Sequence, residues 1–307
     1  MTIHKYIIYF SYYLLFATTS MYAQMDNRLP ILSLAERIQP APKSVFNKFL
    51  EAGMSPVNHT LSEIEKNKVM EAFSILPPLH QKILKEHLYS ISFMDNMPNT
   101  ALTSPVEISK AKKMFNITFR AEIINETISE WATWKENTYY TASENNEYDV
   151  IIDGGNLDAI VYVLLHEATH IVDAVLNITP QVDDIDSSVP STSFTADVWY
   201  KMNEPQENVT NPLLETTRFR SGKPLPMSST PEVYKTLQKT PFASLYSMAS
   251  WHEDLAELVT IYHLTKKMKQ PFKIMVKKNG ATVSTYEPFT NKEVIKRKRN
   301  MRMFYIL

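Results

Sequence analysis

The chain contains no cysteine in 307 residues. Disulfides, thiol catalysis, a thiolate metal site and a lipidated N-terminal cysteine are all excluded. Glycine is scarce too, five residues against 18 prolines, which argues against a glycine-rich phosphate loop or a β-rich repeat protein. Nor is there an excess of either charge. Lys+Arg total 32 and Asp+Glu 33, a formal net charge of −1, so no global field favours nucleic acid. Beyond the first two dozen residues no apolar run reaches transmembrane length. A chain without disulfides must be held by its core, and the roughly 280 residues that follow the first two dozen are enough to bury one.

Residues 1–23 read as a secretory signal peptide. Lys5 supplies the positive start, and Met21-Tyr22-Ala23 a cleavage site before Gln24. The apolar run between them, about a dozen residues, is too short to span a bilayer. The protein is therefore expected to be exported, secreted or periplasmic, with no transmembrane segment in the mature chain.

The pattern that follows predicts an α+β protein. Residues 24–105 form a mainly helical region, with helices expected over 31–38, 43–52, 61–76 and 79–88. Thr60 and Glu63 form a capping box for the third. A short strand follows at 90–94, then a turn-rich stretch over 95–105. The catalytic region is 106–307. It opens with the clearest strand of the chain, 114–124, in which Ile117, Phe119, Ala121 and Ile123 alternate with polar residues. Thr127 and Glu130 form a capping box for a helix carrying Trp131 and Trp134, and 148–152 is a buried strand. A small sheet packed on helices is the expected architecture, with a largely helical C-terminal lobe.

Eight of the 18 prolines fall in a long insertion at 177–241. Such a connection either carries function or is a solvated insertion with its own small core. Trp199, Tyr200, Arg218, Phe219 and Arg220 are its candidate substrate contacts. Residues 250–268 are helical again, and Asn279-Gly280 marks a type I′ hairpin turn. The closing basic stretch, with Lys292, Lys296, Arg297, Lys298, Arg299 and Arg302, reads as a solvated face.

The chemistry centres on 151–175, where His166-Glu167-Ala168-Thr169-His170 spells HExxH. Gly154-Gly155 is a turn, Asn156 a candidate N-cap and Asp158 a first-turn acid. The apolar run 159–165 predicts a helix that is buried rather than lying on the surface. His166 and His170, four apart, then share one face. Two imidazoles so placed can grip one Zn²⁺, with Glu167 beside it as general base.

Catalytic zinc needs a third protein ligand. A metzincin would carry glycine and histidine where this chain has Asp173 and Leu176. A carboxylate from a second helix is the other common solution, and Glu253 and Glu257 supply two on one face. Either could bind the metal while the other orients a ligand histidine. Ser250 and Glu253 could also form an ordinary capping box, and His252 and Asp254 are further conceivable ligands.

HEATHIVD fits HExxHxxD, and Tyr246 precedes Glu253 in Tyr-x₆-Glu-x-x-Ala-Glu. In these two blocks the chain resembles the gluzincin metallopeptidases related to the catalytic domain of anthrax lethal factor and to the secreted Pro-Pro endopeptidases. The resemblance implies a zincin-like fold and zinc-dependent peptide-bond hydrolysis. It implies His166, His170 and Glu253 as zinc ligands, Glu167 as base and Tyr246 as oxyanion donor. Glu257 would hold a ligand histidine and Asp173 would support the zinc helix. The expected partner is a peptide or protein substrate. Two other readings compete: an exported binding protein with a degenerate or structural zinc site, and a zinc amidase acting on cell-wall peptide.

Overall fold

A helix of 18 residues that is apolar on nearly every face has to be covered from all sides, and the chain is arranged around that need. The structure, a computed structural model, describes residues 33–106, 112–142 and 147–306. The expected signal peptide at 1–23 lies outside the described residues.

The N-terminal part comprises α1 (Lys43–Glu51), β1 (Val57–Asn58), α2 (Glu63–Ser74), α3 (Pro78–His87), β2 (Leu88–Asp95), β3 (Ala101–Val106) and β4 (Met114–Arg120). The strands form one mixed sheet in the order β1-β2-β4-β3, with β2 and β4 parallel and the outer pairs antiparallel. The sheet crosses residue 105, and one core runs through both sides of that boundary.

Several local readings differ from what forms. Of the helix expected at 31–38, the described part holds only a 3-10 turn, Ala35–Arg37, and Ile38 bridges to Ile91. Arg37 donates instead to the carbonyls of Leu84, Lys85 and Leu88 at the end of α3, so a tertiary contact outweighs local propensity. The box that starts α2 is Ser62 with Glu65, not Thr60 with Glu63. The stretch read as turns over 95–105 contains β3, an edge strand, where Pro105 is tolerated. The strand over 114–124 stops at Arg120 and continues as a 3-10 turn, Ala121–Ile124. Two of its polar positions, Asn116 and Thr118, are also buried, because β4 is central: Ser90 donates to Asn116, and Ser92 bonds Thr118.

The second part begins with α4 (Ile128–Asn137), whose capping box is Thr127 with Glu130 as the sequence reads. β5 (Tyr140–Thr141), β6 (Tyr148–Asp153) and α5 (Ala159–Leu176) follow. Gly154 lets the end of β6 pass close to α4; a Cβ there would sit 2.5 Å from Ile128 Cγ2. Asp158, not Asn156, is the N-cap residue of α5, and its carboxylate lies 3.1 Å from Lys68 Nζ rather than on the helix amides. Asn177 ends the helix in the left-handed region, its N–H donating to Asp173 at 2.7 Å. By length and composition α5 could cross a membrane, yet 78% of it is buried inside the fold. It packs against α2, α3, α4, β3 and, downstream, α8.

The connection 177–241 contains β7 (Trp199–Lys201), β8 (Glu204–Pro205), α6 (Arg218–Ser221), β9 (Leu225–Pro226) and α7 (Thr230–Leu237). It has no separate core: Phe194, Trp199, Leu214, Tyr234 and Leu237 join the cluster that holds α5. Then come α8 (Trp251–Tyr262), a π-helical turn, and the hairpin β10 (Lys273–Lys278) and β11 (Ala281–Tyr286). Asn279 and Gly280 both have positive φ, as a type I′ turn requires. β10 pairs with β6 to complete an antiparallel sheet, β11-β10-β6. In α9 (Lys292–Lys296) and the 3-10 segment behind it most cations are solvated. Arg297 is the exception, buried in a two-bond pair with Asp254.

Candidate metal centre

The helical repeat of α5 brings His166 and His170 to the surface of α8. Their Nε2 atoms lie 3.2 Å apart. Glu253, in the first turn of α8, points its carboxylate between them, with Oε2 3.0 Å from His166 Nε2 and 3.5 Å from His170 Nε2. The donor atoms of His166, His170 and Glu253 all lie within 4.8 Å of one another, so this group could hold a metal ion. Its side chains are mostly buried; His170, the most open, is 20% exposed.

Glu253 is not spent on its own helix terminus. Ser250 does cap α8, accepting from the Glu253 amide at 3.3 Å, but only half of a capping box is present. The carboxylate faces the histidines instead. Glu257, one turn later, meets the far side of His166: Nδ1 is 3.1 Å from its Oε1. Tyr162 Oη donates to the same carboxylate at 2.9 Å and Ser244 Oγ at 2.7 Å. An ionised carboxylate can only accept, so His166 carries its proton on Nδ1 and offers Nε2 to the cluster.

The other two acids and the third histidine are engaged elsewhere. His252 Nε2 accepts from Trp251 Nε1 at 3.0 Å, and its Nδ1 lies 2.8 Å from Asp173 Oδ2. Asp173 also accepts from the Thr179 amide and hydroxyl. It therefore ties the end of α5 to the start of α8 rather than touching either histidine of the cluster. Asp254 is held by Arg297 and Trp199.

Glu167 stands next to His166 with its carboxylate gripped by Thr103 of β3, Oγ1 to Oε2 2.6 Å. The Tyr246 ring stacks on the His166 imidazole at 5.8 Å and packs against Phe219 at 5.0 Å. Lys135 Nζ lies 4.3 Å from the centre of the same ring and 3.8 Å from Glu257 Oε1.

The electrostatics favour positive charge at the cluster. Burial opposes ionisation of His166, but Glu253 and Glu257 outweigh it and push its pKa up to about 10. His170 is raised as well, against its burial, chiefly by Glu253. Burial works against the carboxylates too. Even so, the two histidines hold Glu253 well below the usual range, and Lys135 with His166 brings Glu257 down to about 2. Two imidazoles and one ionised carboxylate are a donor set that could hold a metal ion.

Comparison of the chain with protein-family models, curated proteins and solved structures finds no match in any of the three. The site is thus read from its own geometry. Of the substrate-contact candidates in 177–241, Arg218 and Phe219 line the recess beside His166. Trp199 and Arg220 make internal bonds, and Tyr200 is exposed away from that recess. Thr103, Lys135, Tyr162 and Ser244 were not singled out by the sequence. Tyr162 could have been, lying one helical turn before His166 on the same face. Thr103 could not, because the pattern around it reads as turns.

Proposed function

We propose that the protein is an exported zinc-dependent metalloendopeptidase of gluzincin type, hydrolysing peptide bonds of an extended substrate. The observation that carries this reading is the convergence of His166, His170 and Glu253 with Glu167 alongside and Glu257 behind His166. Hydrolytic zinc sites use this donor set, which supports Zn²⁺ as the resident ion. Lewis-acid polarisation of the scissile carbonyl and acidification of a water are what such an ion supplies when bound. Glu167 takes the proton from the attacking water and delivers it to the leaving amine. Glu257 keeps the Nδ1 proton on His166 and so holds that ring in register. Tyr246 donates to the developing oxyanion. Thr103 fixes the rotamer of the base.

A closed structural site would need a fourth protein ligand, and the two further candidates on α8, His252 and Asp254, are bound to other partners. Export rests on the signal-like residues 1–23. The test is a peptide-library digest by the zinc-loaded protein, with cleavage positions read by mass spectrometry and Glu167→Ala as control. Cleavage by the parent alone is expected. A metal-loaded parent that cuts no peptide would overturn the reading.

A further inference from the structure

Beside His166 and Glu167 lies a recess of about 220 Å³ with aromatic walls. Trp131, Tyr139, Phe219 and Tyr246 line it. Their rings form a chain, Tyr139 to Phe219 at 4.5 Å and Phe219 to Tyr246 at 5.0 Å. Two cations, Lys135 and Arg218, stand among these rings, and Glu167 is the one carboxylate residue of the lining.

The two cations are not equivalent. Lys135 is engaged by Glu257 and by the faces of Tyr246 and Trp131. Arg218 has no carboxylate partner among the described residues. Its Nη1 donates to the Thr138 carbonyl just past α4, which anchors the guanidinium to the wall and leaves its other donors unused. A second polar group in the lining is also unmatched: the Tyr139 hydroxyl is buried without a hydrogen bond. An anchored, partly buried guanidinium with free donors is suited to a carboxylate, which it can meet with two parallel bonds. A basic side chain entering here would meet Arg218, whose charge no carboxylate among the described residues offsets. A purely apolar one would cover Arg218 and leave its charge without a partner, at a desolvation penalty.

We propose that this recess is a specificity pocket for an acidic substrate side chain, glutamate or aspartate, at a residue flanking the scissile bond. The methylenes lie against Trp131 and Phe219, and the carboxylate is held by Arg218. The assignment rests on the peptidase reading, so it needs a measurement that does not depend on turnover.

Matched peptides carrying Glu, Gln or Lys at each position flanking the cleaved bond serve both purposes. The zinc-loaded parent should cleave the Glu peptide over the Gln peptide by about tenfold in kcat/KM, the effect of one charge-assisted hydrogen bond. In Arg218→Ala that ratio should fall to about one, and in Arg218→Glu the Lys peptide should become the best of the three. The same peptides are then bound to zinc-loaded Glu167→Ala, by fluorescence anisotropy, with and without Arg218→Ala. Acid-selective binding that Arg218→Ala removes, without cleavage by the parent, keeps the pocket and discards the peptidase. Cleavage with a Glu-to-Gln ratio of one at every flanking position, or a ratio that survives Arg218→Ala, discards the pocket and keeps the peptidase. No selectivity in either measurement discards the pocket outright.

Discussion

Glu257 Oε1 lies 3.1 Å from His166 Nδ1, on the side of the imidazole turned away from His170 and Glu253. That contact separates two glutamates that are alike in the sequence. They share a helix and a face, but His166 stands between them, so one can reach a metal ion and the other can only orient its ligand.

Metal content follows directly. The protein should carry one zinc per chain by elemental analysis. His166→Ala and His170→Ala should each lose it, because two remaining ligands hold zinc poorly. Stoichiometric metal in the double variant would remove the site.

The two glutamates should rank in a fixed order. Glu253→Ala removes a ligand and should abolish tight zinc binding. Glu257→Ala loosens the ring behind a ligand and should weaken affinity by about 10–100-fold. Competition with a zinc chelator measures both, and the reverse order would exchange their roles.

Catalysis should separate from metal holding at Glu167 and Tyr246. Glu167→Ala should keep its zinc and lose on the order of 10²–10⁴ in rate, the contribution of a positioned base. Tyr246→Phe keeps the ring that stacks on His166 and removes one hydroxyl. Its kcat should drop by about 10²–10³ with KM little changed. A phenylalanine variant as fast as the parent would withdraw the oxyanion role.

Thr103→Val tests the grip on the base. The substitution preserves β-branching in an edge strand and deletes the 2.6 Å bond to Glu167. Losing a hydrogen bond to a charged group is worth about 1.5–3 kcal/mol, so kcat should fall at least tenfold while zinc content stays at one. An equal loss of zinc and rate would assign Thr103 a structural part instead.

Glu136 gives a pH dependence apart from the metal cluster. It is buried in α4 and accepts from the Tyr234 hydroxyl. Burial pushes its carboxyl up to about 7 from an ordinary 4.5. The folded chain therefore keeps a proton that the unfolded chain releases. Its contribution is fully present below about pH 4.5 and is lost as pH rises through about 7, a difference of about 3 kcal/mol. Glu136→Gln should match the parent near pH 4 and exceed it in urea unfolding near pH 8. A constant difference between the two across that range would contradict the assignment.

Local patterns in the sequence determine much of this protein. The apolar period of 159–175 makes a helix and places His166 and His170 on one face. Thr127 with Glu130 starts α4, and Asn279-Gly280 turns the hairpin. These outcomes depend on neighbours within a few residues, where sterics and hydrogen bonding leave little choice. Elsewhere the same kind of signal was ambiguous, and distant contacts settled it. Ser250-x-x-Glu253 is equally a cap and half of a cap, and which it becomes depends on two histidines more than 80 residues earlier. Arg37 leaves a helical pattern to close the end of α3. Residues 95–105 read as turns, yet 101–106 become a strand because β4 offers an open edge, and in doing so they bring Thr103 to Glu167. Arg218 and Phe219 sit in a proline-rich connection whose pattern says nothing of where it goes; its buried aromatics carry it into the core around α5, and that burial puts both residues beside His166. Spacing along one helix is a local property, whereas the meeting of α5, α8, β3 and α6 at one point comes from packing an apolar helix on every side.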